Sequence, residues 1–305
     1  MTLFCGNGYN PRMEPDSPGI DLHAHTTASD GSLSPTELVT KAADLGLAAL
    51  AVTDHDTLGG LPEAAQAAFR RGLTFVPGVE LSVEDSEGRF HLLGYLFDSE
   101  DAALHDTLAR LRESRARRNA QMAQKMAALG LPVTMDDVRA EAGEDAEVIA
   151  RPHFAQALIK KGVVGSVKEA FDRYLSTGKP LYLPKDVLTP ADAIRLLHNA
   201  GGIAVMAHPG LIALGDDALA QRIESLARDA GMDGIEAYYS QHSPAQTARF
   251  RALAERLGLV VTGGSDFHGT AKPHVPLGVV HEGKPAPADL LDAMRARTRR
   301  PPSPQ

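Results

Sequence analysis

Histidines and carboxylates recur in this sequence at spacings that suit metal ligation. In DLHAHTTASDG, His23 and His25 sit on alternate positions, so on an extended strand both imidazoles point to one side, with Asp30 on the loop that follows. Paired imidazoles with a carboxylate nearby are the donors a borderline divalent ion takes from a protein. AVTDHDT sets His55 between Asp54 and Asp56, a cluster that is costly to bury unless a cation compensates it. PGVE places Glu80 in an apolar run, where a carboxylate bridging two metals avoids the cost of an unpaired charge. His91 in RFHLLGY, His208 in AHPG, and Asp266 with His268 in GGSDFHG extend the set. Each motif alone has a plainer reading: a surface pair, a capped turn, a satisfied core histidine. Together they gather metal-type residues with no competing nucleophile, since Cys5 is the only cysteine and no serine occupies a GxSxG elbow. The site expected is a multinuclear metal centre, built from polar groups that converge on one face.

Such a centre needs elements that bring distant motifs to one face. Short Val/Ile/Leu-rich runs alternate with amphipathic alanine-rich stretches, the sign of parallel strands joined by helices. The strand candidates are GIDLHAH, LAALAVTDHD, LTFVPGVELS, RFHLLGYLF, GIAVMAHPG, GIEAYY and LVVTGGSDFH. All seven carry a histidine or an acid, most of them toward the C-terminal end, where the strands of a β/α barrel build its active site. In SPTELVTKAADLG, Ser34 suits a helix cap, Pro35 the first turn and Gly46 the stop. The alternation breaks between Asp98 and about Pro184, a stretch that reads as helical, with Leu104, Leu108 and Leu111 on one face.

Composition excludes several classes. The chain has 305 residues, a hydrophobic fraction of 43% and charged residues at 23%, which suits a globule with a substantial core. Aromatics at 5% and no tryptophan argue against a large stacking surface for nucleic acid. With 31 basic and 39 acidic residues, the net charge of −8 draws in no polyanion from a distance. A single cysteine fits a reducing cytoplasm, and no run approaches a membrane span. Residues 1–18 read as a flexible extension and residues 291–305 as a flexible tail.

DLHAHTTASDG, AVTDHDT, PGVE, AHPG and GSDFHG resemble, in order and spacing, the motifs of the PHP (polymerase and histidinol phosphatase) superfamily. The resemblance implies a distorted (β/α)7 TIM-like barrel over residues 19–98 and 185–290, with a helical insertion domain at 99–184. It implies three divalent ions, manganese first, with iron or zinc as alternatives. One would be held by His23, His25, Glu80 and Asp266, a second by Glu80, His91 and His208, and a third by Asp30, His55 and His268. The insertion, carrying RPHFAQAL and YLSTGKP, is similar to that of the nucleoside 3′,5′-bisphosphate phosphatases, a group overlapping the 5′-to-3′ exoribonuclease called RNase AM. The substrate implied is a small nucleotide, with short single-stranded RNA as a second, and no protein partner is called for.

Arg151, His153 and Lys179 of the insertion are candidates to close over a phosphate, against a plainer reading of Arg151 and His153 as a helix start. The run holding Arg110, Arg112, Arg115, Arg117 and Arg118 is the only dense positive patch and offers a place for a second phosphate, unless it is a solvated helix face. The rival readings are a histidinol-phosphate phosphatase on the same metals and a non-catalytic partner-binding module.

Overall fold

The computed structural model describes residues 18–143 and 146–298. Its sheet has seven strands in sequential order: β1 (Ile20–Asp21), β2 (Ala49–Val52), β3 (Thr74–Asp85), β4 (Gly88–Tyr95), β5 (Ile203–Met206), β6 (Gly234–Tyr239) and β7 (Val260–Gly264). Beyond the end of β1, Leu22 N–H donates to Gly263 O at 3.1 Å and Ala24 pairs with Phe267. The sheet therefore curls into a distorted, nearly closed barrel. Helices α1 (Pro35–Asp44), α2 (Leu61–Arg71), α3 (Ala102–Ala128), α4 (Met135–Ala142), α5 (Arg151–Lys160), α6 (Val167–Ala170), α7 (Pro190–Asn199), α8 (Asp216–Ser225), α9 (Pro244–Leu257) and α10 (Leu290–Arg297) complete it.

Alternation along the strands sorts the core into two layers. Ala49 and Ala51 join an inner cluster with Leu22, Val76, Tyr95 and Val205. Leu50 and Val52 face the helices, packing with Leu38, Ala64 and Leu197. Local signals agree with this arrangement: Ser34 accepts from Glu37 N–H and Glu37 returns to Ser34 N–H, closing the capping box of α1.

Two features depart from the sequence-based expectations. β4 runs antiparallel to both β3 and β5. Only Ser86 and Glu87 separate β3 from β4, too short a link for a crossover, so the pair must form a hairpin. The tail expected from residue 291 begins instead inside α10, which buries Leu291 and Met294 against the inner cluster. That apolar pair, spaced for one helix face, outweighs the polar composition that follows it. Residues 299–305 and the expected extension, except Pro18, lie outside the described residues.

Between β4 and β5 the chain builds a separate helical core from Met122, Met126, Val138, Phe154, Leu158 and Leu175. α3 belongs to both cores, with Leu104, Leu108 and Leu111 packed on the barrel and its second half in the helical lobe. Its 27 residues span about 40 Å at 1.5 Å per residue. One rigid element thus fixes the lobe beside the strand ends.

Candidate metal centre

Most motif residues lie just past a strand end, while Glu80 and His91 lie within β3 and β4. Past the ends of β2, β5 and β7, Asp56, His208 and Asp266 take left-handed backbone angles (φ 53°, 27° and 61°) that side-chain-bearing residues seldom adopt. Backbone strain of this kind persists only where the surroundings hold it. Asp266 N–H donates to His23 O at 2.8 Å, and His208 N–H to Glu236 Oε2 at 2.7 Å.

Glu80 is 1% exposed and stands at the middle of the group. Its Oε2 lies 3.3 Å from His23 Nε2, 3.2 Å from His25 Nε2 and 3.2 Å from His55 Nδ1. Its Oε1 lies 2.7 Å from His91 Nδ1 and 3.0 Å from His208 Nε2. Asp266 Oδ1 faces His23 and His25 at 3.5 and 3.3 Å. Asp30 Oδ1 is 3.4 Å from His268 Nε2 and 3.9 Å from His55 Nε2. Three groups of atoms close enough to share an ion result: His23, His25, Glu80 and Asp266; His25, Asp30, His55 and His268; and His55, Glu80 and His91. Eight of the nine ligand candidates fall in these groups, with His25, His55 and Glu80 each in two, and the ninth, His208, approaches through Glu80 Oε1.

The donor atoms fit a cation better than they fit one another. His23 Nε2, both ring nitrogens of His25, Glu80 Oε2 and His91 Nδ1 are buried without a hydrogen-bond partner among the described residues. Atoms about 2.0–2.1 Å from a shared ion at tetrahedral angles stand about 3.3 Å apart, the spacing seen around Glu80 Oε2. His208 Nδ1 is likewise unpartnered among the described residues, whereas two other ring nitrogens hold outer partners. His23 Nδ1–H donates to Glu236 Oε1 at 2.9 Å and His268 Nδ1–H to Asp266 O at 2.8 Å, leaving Nε2 of each ring free to ligate. Clusters of imidazole and carboxylate donors such as these form one or more divalent-metal sites.

The electrostatics point the same way. Burial disfavours a charged His25, yet the close approach of the Asp266 and Glu80 carboxylates raises its pKa to about 9. Glu236, Glu80 and Asp266 likewise outweigh burial and hold His23 well above the ordinary imidazole value. Burial prevails at His55, lowered to about 3. Some rings take up protons and others cannot, as expected where a negative field awaits a metal cation.

Several neighbours escaped the sequence reading. Glu236, fully buried on β6, holds both His23 and the backbone of His208. Tyr239 OH and Lys272 Nζ donate to Asp266 Oδ2 at 2.9 and 2.7 Å, turning Oδ1 toward the histidines. The other two acids of TDHD do not need a metal after all. Asp54 accepts from Thr26 N–H, Thr26 Oγ1–H and Ser29 Oγ–H at 2.8, 2.6 and 2.6 Å, and Asp56 pairs with Arg115 and Lys185.

A cavity of about 340 Å³ opens between the cluster and the helical lobe, with Asp30, His55, His91 and His268 on its floor. Arg118, Arg151, Arg89 and Lys185 face it, together with the rings of Phe171 and Tyr182. Arg118 is 5% exposed, its Nε has no partner and no described acid pairs with it. Arg151 donates to Leu175 O at 3.2 Å and lies 5.7 and 5.8 Å from the Phe171 and Tyr182 ring centres. The other cationic candidates stand elsewhere. His153 is buried and its Nδ1 accepts from Ala150 N–H at 3.1 Å, the helix-start reading. Lys179 is exposed outside the cavity. Arg117 is exposed near Glu113 and Asp186, Arg110 bonds Thr107, and Arg112 faces Glu147.

Comparison with known proteins agrees with this geometry. The chain is similar to the 3′,5′-nucleoside bisphosphate phosphatase of Chromobacterium violaceum, 38% identical over 282 residues that cover 92% of this chain and 98% of that protein. It is also similar to the 5′-3′ exoribonuclease Rnm of Escherichia coli, 35% identical over 250 residues, 81% of this chain and 84% of that one. A solved structure of an amidohydrolase from Chromobacterium violaceum, with bound sulfate and no metal, superimposes with a TM-score of 0.82 at 37% identity, covering 93% of this chain and 99% of that chain. The pattern of the PHP domain matches residues 21–235, and the chain belongs to the PHP domain family.

Proposed function

We infer that the protein is a metal-dependent phosphoesterase that removes the 3′-phosphate of nucleoside 3′,5′-bisphosphates, leaving the nucleoside 5′-monophosphate. The observation that carries this reading is the pairing of unpartnered ligand atoms around Glu80 with a cavity wall holding unpaired Arg118. A phosphate at the cluster uses the first feature, and a second phosphate on the same nucleotide needs the other. The name of the Chromobacterium violaceum phosphatase supports the substrate, and the sulfate in the related structure shows that protein taking a tetrahedral dianion.

In this reading His23, His25, Glu80 and Asp266 hold one ion, Glu80, His91 and His208 a second, and Asp30, His55 and His268 a third. Three divalent ions there, manganese first with iron or zinc as alternatives, supply acidified water as nucleophile and positive charge against the phosphoryl oxygens. Glu236 keeps the His23 ring in its ligating orientation, and Lys272 with Tyr239 does the same for Asp266. Arg118 and Arg151 hold the 5′-phosphate, while Phe171 and Tyr182 offer faces to the base. Residues 99–184 act as the substrate-selecting insertion. Hydrolysis breaks the bond from phosphorus to O3′: the water oxygen joins phosphorus and a proton ends on O3′. The same bond occurs in short 5′-phosphorylated RNA, a second substrate supported by the exoribonuclease relative. A cytoplasmic place completes the reading, supported by the lone cysteine.

Phosphate release with manganese from adenosine 3′,5′-bisphosphate, adenosine 3′-monophosphate and histidinol phosphate tests this. The bisphosphate should be strongly preferred, with adenosine 5′-monophosphate as product. Equal rates on the two adenosine nucleotides, the 3′-monophosphate as product, or release from histidinol phosphate alone would overturn it.

A further inference from the structure

A second cavity, also of about 340 Å³, adjoins the first, and the two share Ser82, Arg89, His91, Arg151 and Lys185 as a common wall. The lobes differ in character. The first adds Arg115, Arg118 and Lys272 to that wall, whereas the second adds Phe90, Val187, Leu211, Ile212 and Ala213. Leu211 is 52% exposed, one of few large apolar side chains left so on this molecule. It is not loose. It sits in the short turn Pro209–Leu211 directly after His208, and Gly210 N–H donates to Nε2 of buried His242 at 3.1 Å while His242 Nδ1–H donates to Ala237 O at 3.0 Å. A buried histidine with both ring nitrogens used thus clamps the turn that shows a leucine to solvent beside the metal cluster.

We propose that this aliphatic lobe, with Leu211 at its mouth, is a binding site for the nucleotide on the 3′ side of the cleaved phosphate in a short oligonucleotide. The proposal rests on the phosphoesterase reading above and deepens it. A phosphate seated at the cluster has substituents leaving it on two sides only if it is a diester, and the cluster borders two lobes, Asp30, His55 and His268 lining the first, His208 the second and His91 both. The terminal 5′-phosphate, a dianion, belongs in the lobe rich in cations. The base of the following nucleotide belongs against the pinned apolar shelf, where covering Leu211 removes apolar surface from water. A bisphosphate fills the first lobe and leaves the second empty. In the diester, water adds to phosphorus, the bond to O3′ of the first nucleotide breaks, and a proton passes to that oxygen. Two 5′-monophosphates result from a 5′-phosphorylated dinucleotide.

The test compares kcat/KM for 5′-phosphorylated diadenylate and adenosine 3′,5′-bisphosphate in the wild type, Leu211→Glu and Leu211→Phe. The ratio of dinucleotide to bisphosphate should fall roughly tenfold in Leu211→Glu, chiefly through KM, and hold or rise in Leu211→Phe. In metal-stripped protein, which does not turn substrate over, the dissociation constant of the dinucleotide should rise in Leu211→Glu in the same proportion. An unchanged ratio in Leu211→Glu overturns the proposal, as does a wild type that hydrolyses the bisphosphate and not the dinucleotide. A wild type that hydrolyses neither overturns the phosphoesterase reading itself.

Discussion

Glu80 organises the centre at the level of single residues because its two oxygens face different sets of imidazoles. Glu236 matters nearly as much, although it touches no proposed ion. One of its oxygens accepts a hydrogen bond from His23 Nδ1–H and the other fixes the strained backbone of His208. Glu236→Gln keeps the size and removes one acceptor. Metal affinity should fall roughly 10–100-fold, the usual cost of losing such an outer partner, with an unchanged circular dichroism spectrum. A wild-type metal titration curve would reduce Glu236 to packing. Cationic residues divide by burial in a way the sequence does not display. Arg118 and Arg117 are neighbours, yet one is 5% exposed on the cavity wall and the other stands in solvent. Helical rotation of about 100° per residue decides between them, and its phase was legible only from the packed face of α3.

Most of the proposed ligands stand where a strand ends, while Glu80 and His91 stand within β3 and β4. The seven strand candidates read from apolar runs all correspond to strands of the barrel, since a buried strand betrays itself by Val, Ile and Leu. Their ends were less legible, because Asp56, His208 and Asp266 leave the β region through side-chain and backbone contacts from other motifs. The antiparallel course of β4 was written in the short link after Asp85, while the burial of α10 depended on an inner cluster no local pattern reveals. β7 reaches β1 so closely that a Cβ on Gly264 would lie 2.4 Å from His23 N and 2.2 Å from His23 Cβ. Gly264→Ala should therefore displace His23 and weaken metal binding at least tenfold while leaving every ligand in the chain, an effect worth about 1.4 kcal/mol or more. Metal titration of this variant with unchanged affinity would show that the two strands can part without disturbing the site.

For the whole molecule, the barrel supplies ligands, and the lobe carried by α3 supplies cations. Their junction is the buried contact of Asp56 with Arg115 of α3 and with Lys185 on the returning chain. Burial lowers the pKa of Lys185 to about 8 in spite of attraction from Asp56. Its charge is present below that pH and lost above it, so kcat/KM for an anionic substrate should decline as pH rises through about 8. In Lys185→Arg the decline should move to higher pH, because the guanidinium stays charged; an unmoved profile would exclude Lys185 as its source. The sign for stability is opposite: between about 8 and 10.5 the unfolded lysine holds a proton the folded one has released, so this group adds stability as pH rises across that window. The central claim, that catalysis rests on ions gathered around Glu80, is tested most directly by elemental analysis of bound metal in the wild type and Glu80→Ala, with bisphosphate hydrolysis measured on the same samples. The account predicts more than one divalent ion per wild-type chain, and in Glu80→Ala a loss of metal together with a loss of activity. Full metal content in Glu80→Ala with near-normal hydrolysis would contradict it.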